Sequence, residues 1–162
     1  MIDMKDATAR QRGANVHFPP PLVFVGLTLL GVTLRYAVGP IPFPATAWAR
    51  LVGIVVLLAG ITIIISARTL FTRSGQSPVP WKPTPELIVR GPYRFTRNPM
   101  YVGVTGVQIG LGVAVGNPWI SPLAPVALLI VHFIAVLPEE QYLAEKFGPR
   151  YHEYCARVRR YV

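Results

Sequence analysis

The chain has 162 residues, of which 52% are hydrophobic and only 14% are charged, and its net charge is +9. Soluble domains carry about 25% charged residues, so this composition argues against a soluble domain and for a compact integral membrane protein. The single cysteine, Cys155, excludes an intramolecular disulfide, and no Cys/His spacing predicts a metal site.

Four apolar stretches predict an all-α bundle of about four transmembrane helices. A helix of about 17–25 apolar residues crosses a bilayer, so the second and fourth stretches have spanning length and the other two are short. The turn at Gly116-Asn117-Pro118 predicts that the last two stretches form a helical hairpin. The four stretches cover residues 22–38, 48–71, 100–115 and 119–137.

The charged residues predict the orientation of this bundle. All sixteen Lys and Arg residues except Arg35 and Arg50 lie in segments 1–21, 68–97 and 138–162, and all seven acidic residues lie on that same side. The positive-inside rule therefore places both termini and the 72–99 loop in the cytoplasm, with a bacterial inner membrane as the expected location. Because membrane orientation accounts for the basic charge, no nucleic-acid partner is expected.

The segment after the fourth stretch has a helical pattern that is interrupted at Gly148-Pro149. Beyond the interruption, apolar and aromatic residues recur on one helical face, which is expected to lie on the membrane or to cover the cytoplasmic mouth of the bundle. The face consists of Phe147, Tyr151, Tyr154 and Val158. The whole chain is predicted to be one membrane domain, 1–162, made of segments 1–21, 22–71, 72–99, 100–137 and 138–162.

The start of the third stretch carries polar residues with two possible roles. Asn98 is a favoured N-cap and Pro99 is favoured at the first helical position, so the pair predicts a helix start. Tyr101 shares the face of Asn98. The segment is interpreted either as a helix cap with an interfacial tyrosine or as half of an anion site, because free N–H groups and the positive end of the helix dipole suit a carboxylate.

Three other places hold ionisable side chains near the membrane. Glu139 and Glu140 follow the fourth stretch, either as a solvated first turn or as acceptors of hydrogen bonds from a ligand. Arg68, late in the second stretch, either snorkels to the interface or holds an anionic substrate group. His132 lies inside the fourth stretch and is predicted to be a packing residue.

Taken in order, these segments resemble the superfamily of isoprenylcysteine carboxyl methyltransferases and phospholipid methyltransferases. That superfamily has a Gly-x-Tyr element, then Arg-His-Pro-x-Tyr, a hairpin with Asn-Pro at its turn, Glu-Glu-x-x-Leu, and finally Phe-Gly-x-x-Tyr-x-x-Tyr. The resemblance covers about residues 66–160. The matching segments are Gly91-Pro92-Tyr93, Arg97-Asn98-Pro99-Met100-Tyr101, Asn117-Pro118, Glu139-Glu140-Gln141-Tyr142-Leu143, and Phe147-Gly148 through Tyr151 to Tyr154.

The resemblance implies a site for S-adenosylmethionine. In the superfamily the Arg-His-Pro-x-Tyr and Glu-Glu elements bind this cofactor, and an Arg before them orients the substrate, for which Arg68 is the nearest match. Asn98 stands where the family has His, and an amide donates and accepts hydrogen bonds but cannot carry positive charge. The implied cofactor-binding residues are Tyr93, Arg97, Asn98, Pro99, Tyr101, Glu139 and Glu140.

The function implied is methyl transfer from S-adenosylmethionine to a lipid, prenylated or other amphiphilic acceptor at the cytoplasmic membrane boundary. The catalytic residues would be Arg68, which positions an anionic acceptor, and Glu140 or Glu139, which takes a proton from an amine. The acceptor remains open between a carboxylate, an amine and a thiol, and so does the oligomeric state. Two alternatives are a nicotinamide-dependent reductase of sterol-reductase-like architecture and a non-catalytic membrane scaffold. In the methyltransferase interpretation, the helices of 138–162 are expected to cover the cofactor site.

Overall fold

The computed structural model describes residues 13–16, 18–39, 41–43 and 46–161, and these ranges contain helices but no β-strand. Most of the predicted N-terminal cytoplasmic segment, residues 1–12, lies outside them. Four apolar helices form the bundle, and two short helices follow. The bundle helices are α1 (Pro21–Ala37), α2 (Ala47–Arg73), α3 (Pro99–Ala114) and α4 (Ile120–Val131), and the short ones are α5 (Leu137–Phe147) and α6 (Pro149–Arg157).

The helix bounds agree with the predicted apolar stretches to within a few residues, except at the end of the fourth. Two helical stretches, Ala47–Arg73 and Ile120–Phe147, are long and apolar enough to cross a membrane. Helices α1 and α3 are apolar but only 17 and 16 residues long. The all-helical architecture is therefore confirmed, and the crossing of the bilayer by all four helices stays a prediction.

The chain stays helical through the predicted boundary near Pro138, although the α-helical part named α4 ends at Val131. A π-helical turn, His132–Val136, joins it directly to α5, and the Leu137 N–H donates to the His132 carbonyl. Proline has no N–H and its ring crowds the carbonyl four residues before it, which usually kinks a helix. The wider π turn, which lies just before Pro138, lets the helix continue and carries Glu139 and Glu140 onto its extension.

Helices α2 and α3 approach closely because glycines line their contact. A Cβ placed on Gly60 would lie 2.5 Å from the Gly103 carbonyl oxygen, and one on Gly110 would lie 2.6 Å from the Gly53 carbonyl oxygen. Small residues of this kind let membrane helices pack backbone to backbone. Gly112 allows a similarly close contact between α3 and α4, since a Cβ placed on it would strike the Ser121 side chain.

The α3–α4 turn is fastened to α1 at the end of the bundle away from the charged segments. The buried Asn117 side chain donates to the Gly31 carbonyl (3.2 Å) and accepts from the Trp119 N–H (3.0 Å). Arg35 donates to the Gly116 carbonyl at 2.6 Å. These bonds satisfy the turn's polar groups and confirm the predicted hairpin.

At the opposite end, α6 folds under the bundle. Gly148 makes the turn with φ +52, and Tyr151 and Tyr154 of α6 are buried. The Tyr154 hydroxyl donates to the Tyr93 carbonyl at 2.7 Å, which links α6 to the short 3₁₀ helix Gly91–Arg94. The predicted apolar face of this segment thus packs onto the end of the bundle.

Candidate functional site

A cleft opens at the end of the bundle that α6 covers. It holds about 800 Å³ of space without atoms, a volume that includes the part open to solvent. The end of α2, the loop after it, the start of α3, and helices α5 and α6 all contribute walls. All seven residues predicted to bind the cofactor line this cleft: Tyr93, Arg97, Asn98, Pro99, Tyr101, Glu139 and Glu140.

A hydrogen bond joins the two predicted motifs directly. The Tyr101 hydroxyl on α3 donates to Glu139 Oε1 on α5 at 2.5 Å, across 38 residues of sequence. The hairpin explains this approach, since it returns the chain to the end of the bundle where α3 begins. The Tyr101 hydroxyl therefore fixes the position of the Glu139 carboxylate, a hydrogen-bond acceptor, at the wall of the cleft.

Glu140 lies between two guanidinium groups. Its Oε1 is 3.1 Å from Arg97 Nη2, and its Oε2 is 2.7 Å from Arg160 Nη2. Arg160 Nε also reaches both carboxylate oxygens, at 3.0 and 3.1 Å. Hydrogen bonding to Glu140 raises the pKa of the Arg160 guanidinium above its ordinary value. Both oxygens of Glu140 are thus engaged by arginines.

Asn98 departs from its predicted role as a side-chain N-cap. Pro99 is the first residue of α3 as predicted, but the Asn98 side chain makes no capping hydrogen bond to this helix. Its Nδ2 instead donates to the Arg160 carbonyl at 3.2 Å, so the amide is engaged away from the helix. The first turn of α3 accordingly has no side-chain cap within the described part of the chain.

Two buried polar atoms on cleft-lining residues have no hydrogen-bond partner among the described residues: the Tyr93 hydroxyl and Arg97 Nε. An unpaired buried polar group costs about 1–3 kcal/mol, so native structures rarely leave one without a reason. Burial, together with the nearby Glu139 carboxylate, raises the pKa of Tyr93, which keeps its hydroxyl a donor. Both atoms are hydrogen-bond donors.

Two other predicted residues lie apart from the cleft walls. Arg68 is exposed and is not among the lining residues, although its neighbour Ala67 is fully buried against Tyr93 and Ile88. His132 Nδ1 lies 2.9 Å from the Tyr161 hydroxyl, which gives this partly buried imidazole a local partner.

Sequence reasoning missed Arg160, which belongs to the site through Glu140. An arginine in an Arg-Arg pair near a basic end looks like one more positive-inside charge, and its spacing from Glu140 carries no motif. The apolar wall was also missed, because ordinary apolar residues of a helix or loop give no sequence signal of cleft lining. These residues are Phe71, Leu87, Ile88 and Met100.

Residues 48–150 match the phospholipid methyltransferase family. The chain belongs to this family. The matched range includes every predicted cofactor-binding residue, which confirms the superfamily resemblance inferred from the motifs. No curated protein matches the chain.

The fold is also similar to a solved structure, that of the eukaryotic intramembrane Ras methyltransferase ICMT (isoprenylcysteine carboxyl methyltransferase) without a monobody. The TM-score is 0.64 at 23% sequence identity, and the match covers 89% of this chain and 52% of that one. This family member thus shares its fold with an intramembrane methyltransferase and spans about half the length of that protein.

Proposed function

We propose that this protein is an S-adenosylmethionine-dependent methyltransferase that acts on an amphiphilic acceptor held in the membrane. One observation carries the proposal: the two family motifs meet in one cleft at the end of an apolar bundle, where the Tyr101 hydroxyl binds Glu139. Family membership supports methyl transfer, and the apolar helices support a location of the cleft at a membrane boundary.

The residues of the cleft fit this cofactor. S-adenosylmethionine carries a carboxylate, an ammonium and two ribose hydroxyls, and when bound it supplies an electrophilic methyl group on sulfur. Arg97 has an unpaired buried Nε that suits the carboxylate, and the uncapped first turn of α3 adds free N–H groups nearby. The Glu139 carboxylate would accept from hydroxyl or ammonium groups, and the Tyr93 hydroxyl remains a free donor.

The two adjacent glutamates are proposed to have different roles. Both oxygens of Glu140 are already engaged by guanidinium groups, so we assign it to orienting Arg97. Glu139 accepts a hydrogen bond from the neutral Tyr101 hydroxyl. We therefore propose Glu139, and not Glu140, as the base that takes a proton when the methyl acceptor is an amine. A carboxylate or thiolate acceptor would need no base.

Catalysis in this cleft would depend mainly on placement. Holding two reactants in a productive geometry can supply roughly 7–11 kcal/mol of the barrier. Phe71, Ile88 and Met100 give the cleft an apolar wall, which suits the chain of a lipid or prenylated acceptor and keeps water away. Arg68, exposed on the late part of α2, is proposed to meet an anionic group of that acceptor at the interface.

The test is titration calorimetry on the purified protein in detergent, with S-adenosylhomocysteine and NADPH as separate ligands. We expect S-adenosylhomocysteine to bind and NADPH not to bind. Binding of NADPH alone would identify the reductase alternative, and binding of neither would favour the scaffold. Arg97→Gln removes the cation assigned to the carboxylate and should weaken binding by about 1.5–3 kcal/mol, the range for a charged hydrogen bond.

A further inference from the structure

Residues Val158–Tyr161, called the strap below, follow α6 and contact the start of α3. Val158 has φ −124 and ψ 128, so the helix has ended there. The strap lies outside residues 48–150, the range that matches the family. It also follows Tyr154, the last residue of the motifs quoted from the sequence.

The backbone of the strap binds residues just before and at the start of α3. The Arg97 N–H donates to the Arg159 carbonyl at 2.9 Å. The Arg160 carbonyl accepts twice, from Thr96 Oγ1 at 2.9 Å and from Asn98 Nδ2 at 3.2 Å. Three consecutive residues, 96–98, thus hold one short piece of backbone, and two of them line the cleft.

The side chains of the strap bind the α4–α5 stretch. Arg160 makes a forked contact with the Glu140 carboxylate, and the Tyr161 hydroxyl lies 2.9 Å from His132 Nδ1. The strap therefore connects the two halves of the site, the start of α3 and the extension after the π turn. Glu140, held by Arg160 on one side, contacts Arg97 on the other at 3.1 Å.

We propose that the strap is part of the cofactor site and that Arg160 is a positioning residue: it holds Glu140, and Glu140 holds the Arg97 guanidinium beside the cleft. This inference rests on the proposed function. The bidentate contact between the Arg160 guanidinium and the Glu140 carboxylate fixes the orientation of the carboxylate, which a single point charge would not do. The same arrangement assigns Asn98, which stands where the family has His, to anchoring the strap through its amide.

Thermodynamic linkage makes this arrangement measurable. If the docked strap favours cofactor binding, then the cofactor must favour the docked strap by the same factor. The Arg97 amide reports docking, because its hydrogen bond goes to the strap carbonyl of Arg159. Hydrogen exchange at that amide should therefore slow when S-adenosylhomocysteine is added to the unaltered protein.

The mutational test uses Arg160→Ala and Arg160→Lys, with Arg159→Ala as the matched control. Arg159 is exposed and contributes its backbone carbonyl, so its substitution removes the same charge from the same strap. Calorimetry with S-adenosylhomocysteine should show affinity about 5- to 20-fold weaker for Arg160→Ala. This range is the effect of losing a charged hydrogen bond, reduced because Arg160 is partly exposed. Arg160→Lys should recover part of the loss, and Arg159→Ala should bind like the unaltered protein.

A double-mutant cycle separates positioning from general damage. In a Glu140→Gln background, Arg160→Ala should cost little further affinity, because Arg160 acts through Glu140. Affinity of Arg160→Ala within twofold of the unaltered protein, or ligand-independent exchange at the Arg97 amide, would overturn the inference and leave the proposed function standing. Failure of the unaltered protein to bind S-adenosylhomocysteine would instead overturn the proposed function, and this inference with it.

Discussion

Neighbouring glutamates on one helix have been given different partners by the fold. Glu139 faces the Tyr101 hydroxyl, and Glu140 faces Arg97 and Arg160. Tyr101 engages one oxygen of Glu139, whereas the two arginines together engage both oxygens of Glu140. The environment of each carboxylate, and not its place in the motif, is what suggests its role.

Tyr101→Phe tests the link between the two motifs. The change removes the hydroxyl that donates to the part-buried Glu139 and leaves that carboxylate without this partner. We expect stability to fall by about 1–3 kcal/mol, seen as a lower midpoint of thermal unfolding in detergent. Tyr36→Phe is the control, since Tyr36 is 83% exposed on α1. Equal midpoints for the two variants would contradict a structural role for this bond.

Arg68→Lys tests whether Arg68 acts on the acceptor. The residue is exposed and does not line the cleft, so cofactor affinity should be unchanged in calorimetry with S-adenosylhomocysteine. The rate of methyl transfer to an anionic acceptor should fall, because lysine cannot form the bidentate hydrogen bonds that arginine makes to a carboxylate or phosphate. Full transfer activity would make Arg68 a snorkelling anchor, and weakened cofactor binding would move it into the other half of the site.

At the scale of elements, the close contact of α2 and α3 positions the cleft, because α3 begins and α2 ends at its wall. Backbone approaches at Gly53, Gly60, Gly103 and Gly110 set this spacing. The start of α3 carries Arg97 through Tyr101, so a shift of α3 along α2 would move half of the site. Helix packing and site geometry are therefore linked.

Gly110→Ala tests that packing. A methyl group there would meet the Leu57 backbone nitrogen and the Gly53 carbonyl oxygen, neither of which can turn aside. Overpacking of this kind costs about 1–3 kcal/mol, so the midpoint of thermal unfolding should fall. Gly106→Ala is matched on the same helix, because its nearest neighbour would be 3.7 Å away, in ordinary contact. Similar destabilisation in both variants would mean that the methyl clash is not the cause.

At the scale of the whole molecule, most charged residues and the cleft lie at the same end. The cleft, the strap and most basic residues share the end that the positive-inside rule assigns to the cytoplasm, and Arg35 binds the hairpin turn at the other end. A cytoplasmic cofactor would then reach the cleft from water, and a lipid acceptor would reach it from the bilayer. The orientation is itself a prediction.

Reporter fusions test the orientation. A reporter fused after Val162, which lies outside the described residues, should behave as cytoplasmic, and one inserted near Pro42 should behave as external. The physical reason is the retention of Lys and Arg on the cytoplasmic side during insertion. Alkaline phosphatase and a fluorescent protein provide paired readouts at each position. The reverse pattern would place the cleft outside the cell and remove its access to cytoplasmic cofactor.

The sequence by itself determined the helices, the hairpin turn and the family, because each depends on short-range chemistry. Long apolar runs form helices within a bilayer because a helix satisfies its own backbone hydrogen bonds, Pro99 starts a helix, and Asn117-Pro118 turns the chain. Ordered motifs likewise identified seven cleft residues, since the hairpin between them returns the chain to the end of the bundle where α3 begins. These features need no knowledge of distant contacts.

Only the tertiary structure decided how those side chains are paired. The π turn before Pro138, the turn at Gly148 and the course of the strap together bring Arg160 to Glu140 and the Asn98 amide to a strap carbonyl. Each of these pairings depends on the direction that the backbone takes at several places along the chain. A small error in any one predicted direction would separate the partners. The types and spacing of residues do not specify those backbone directions, so the partners of Glu140, Asn98 and Arg160 could be identified only in the folded chain.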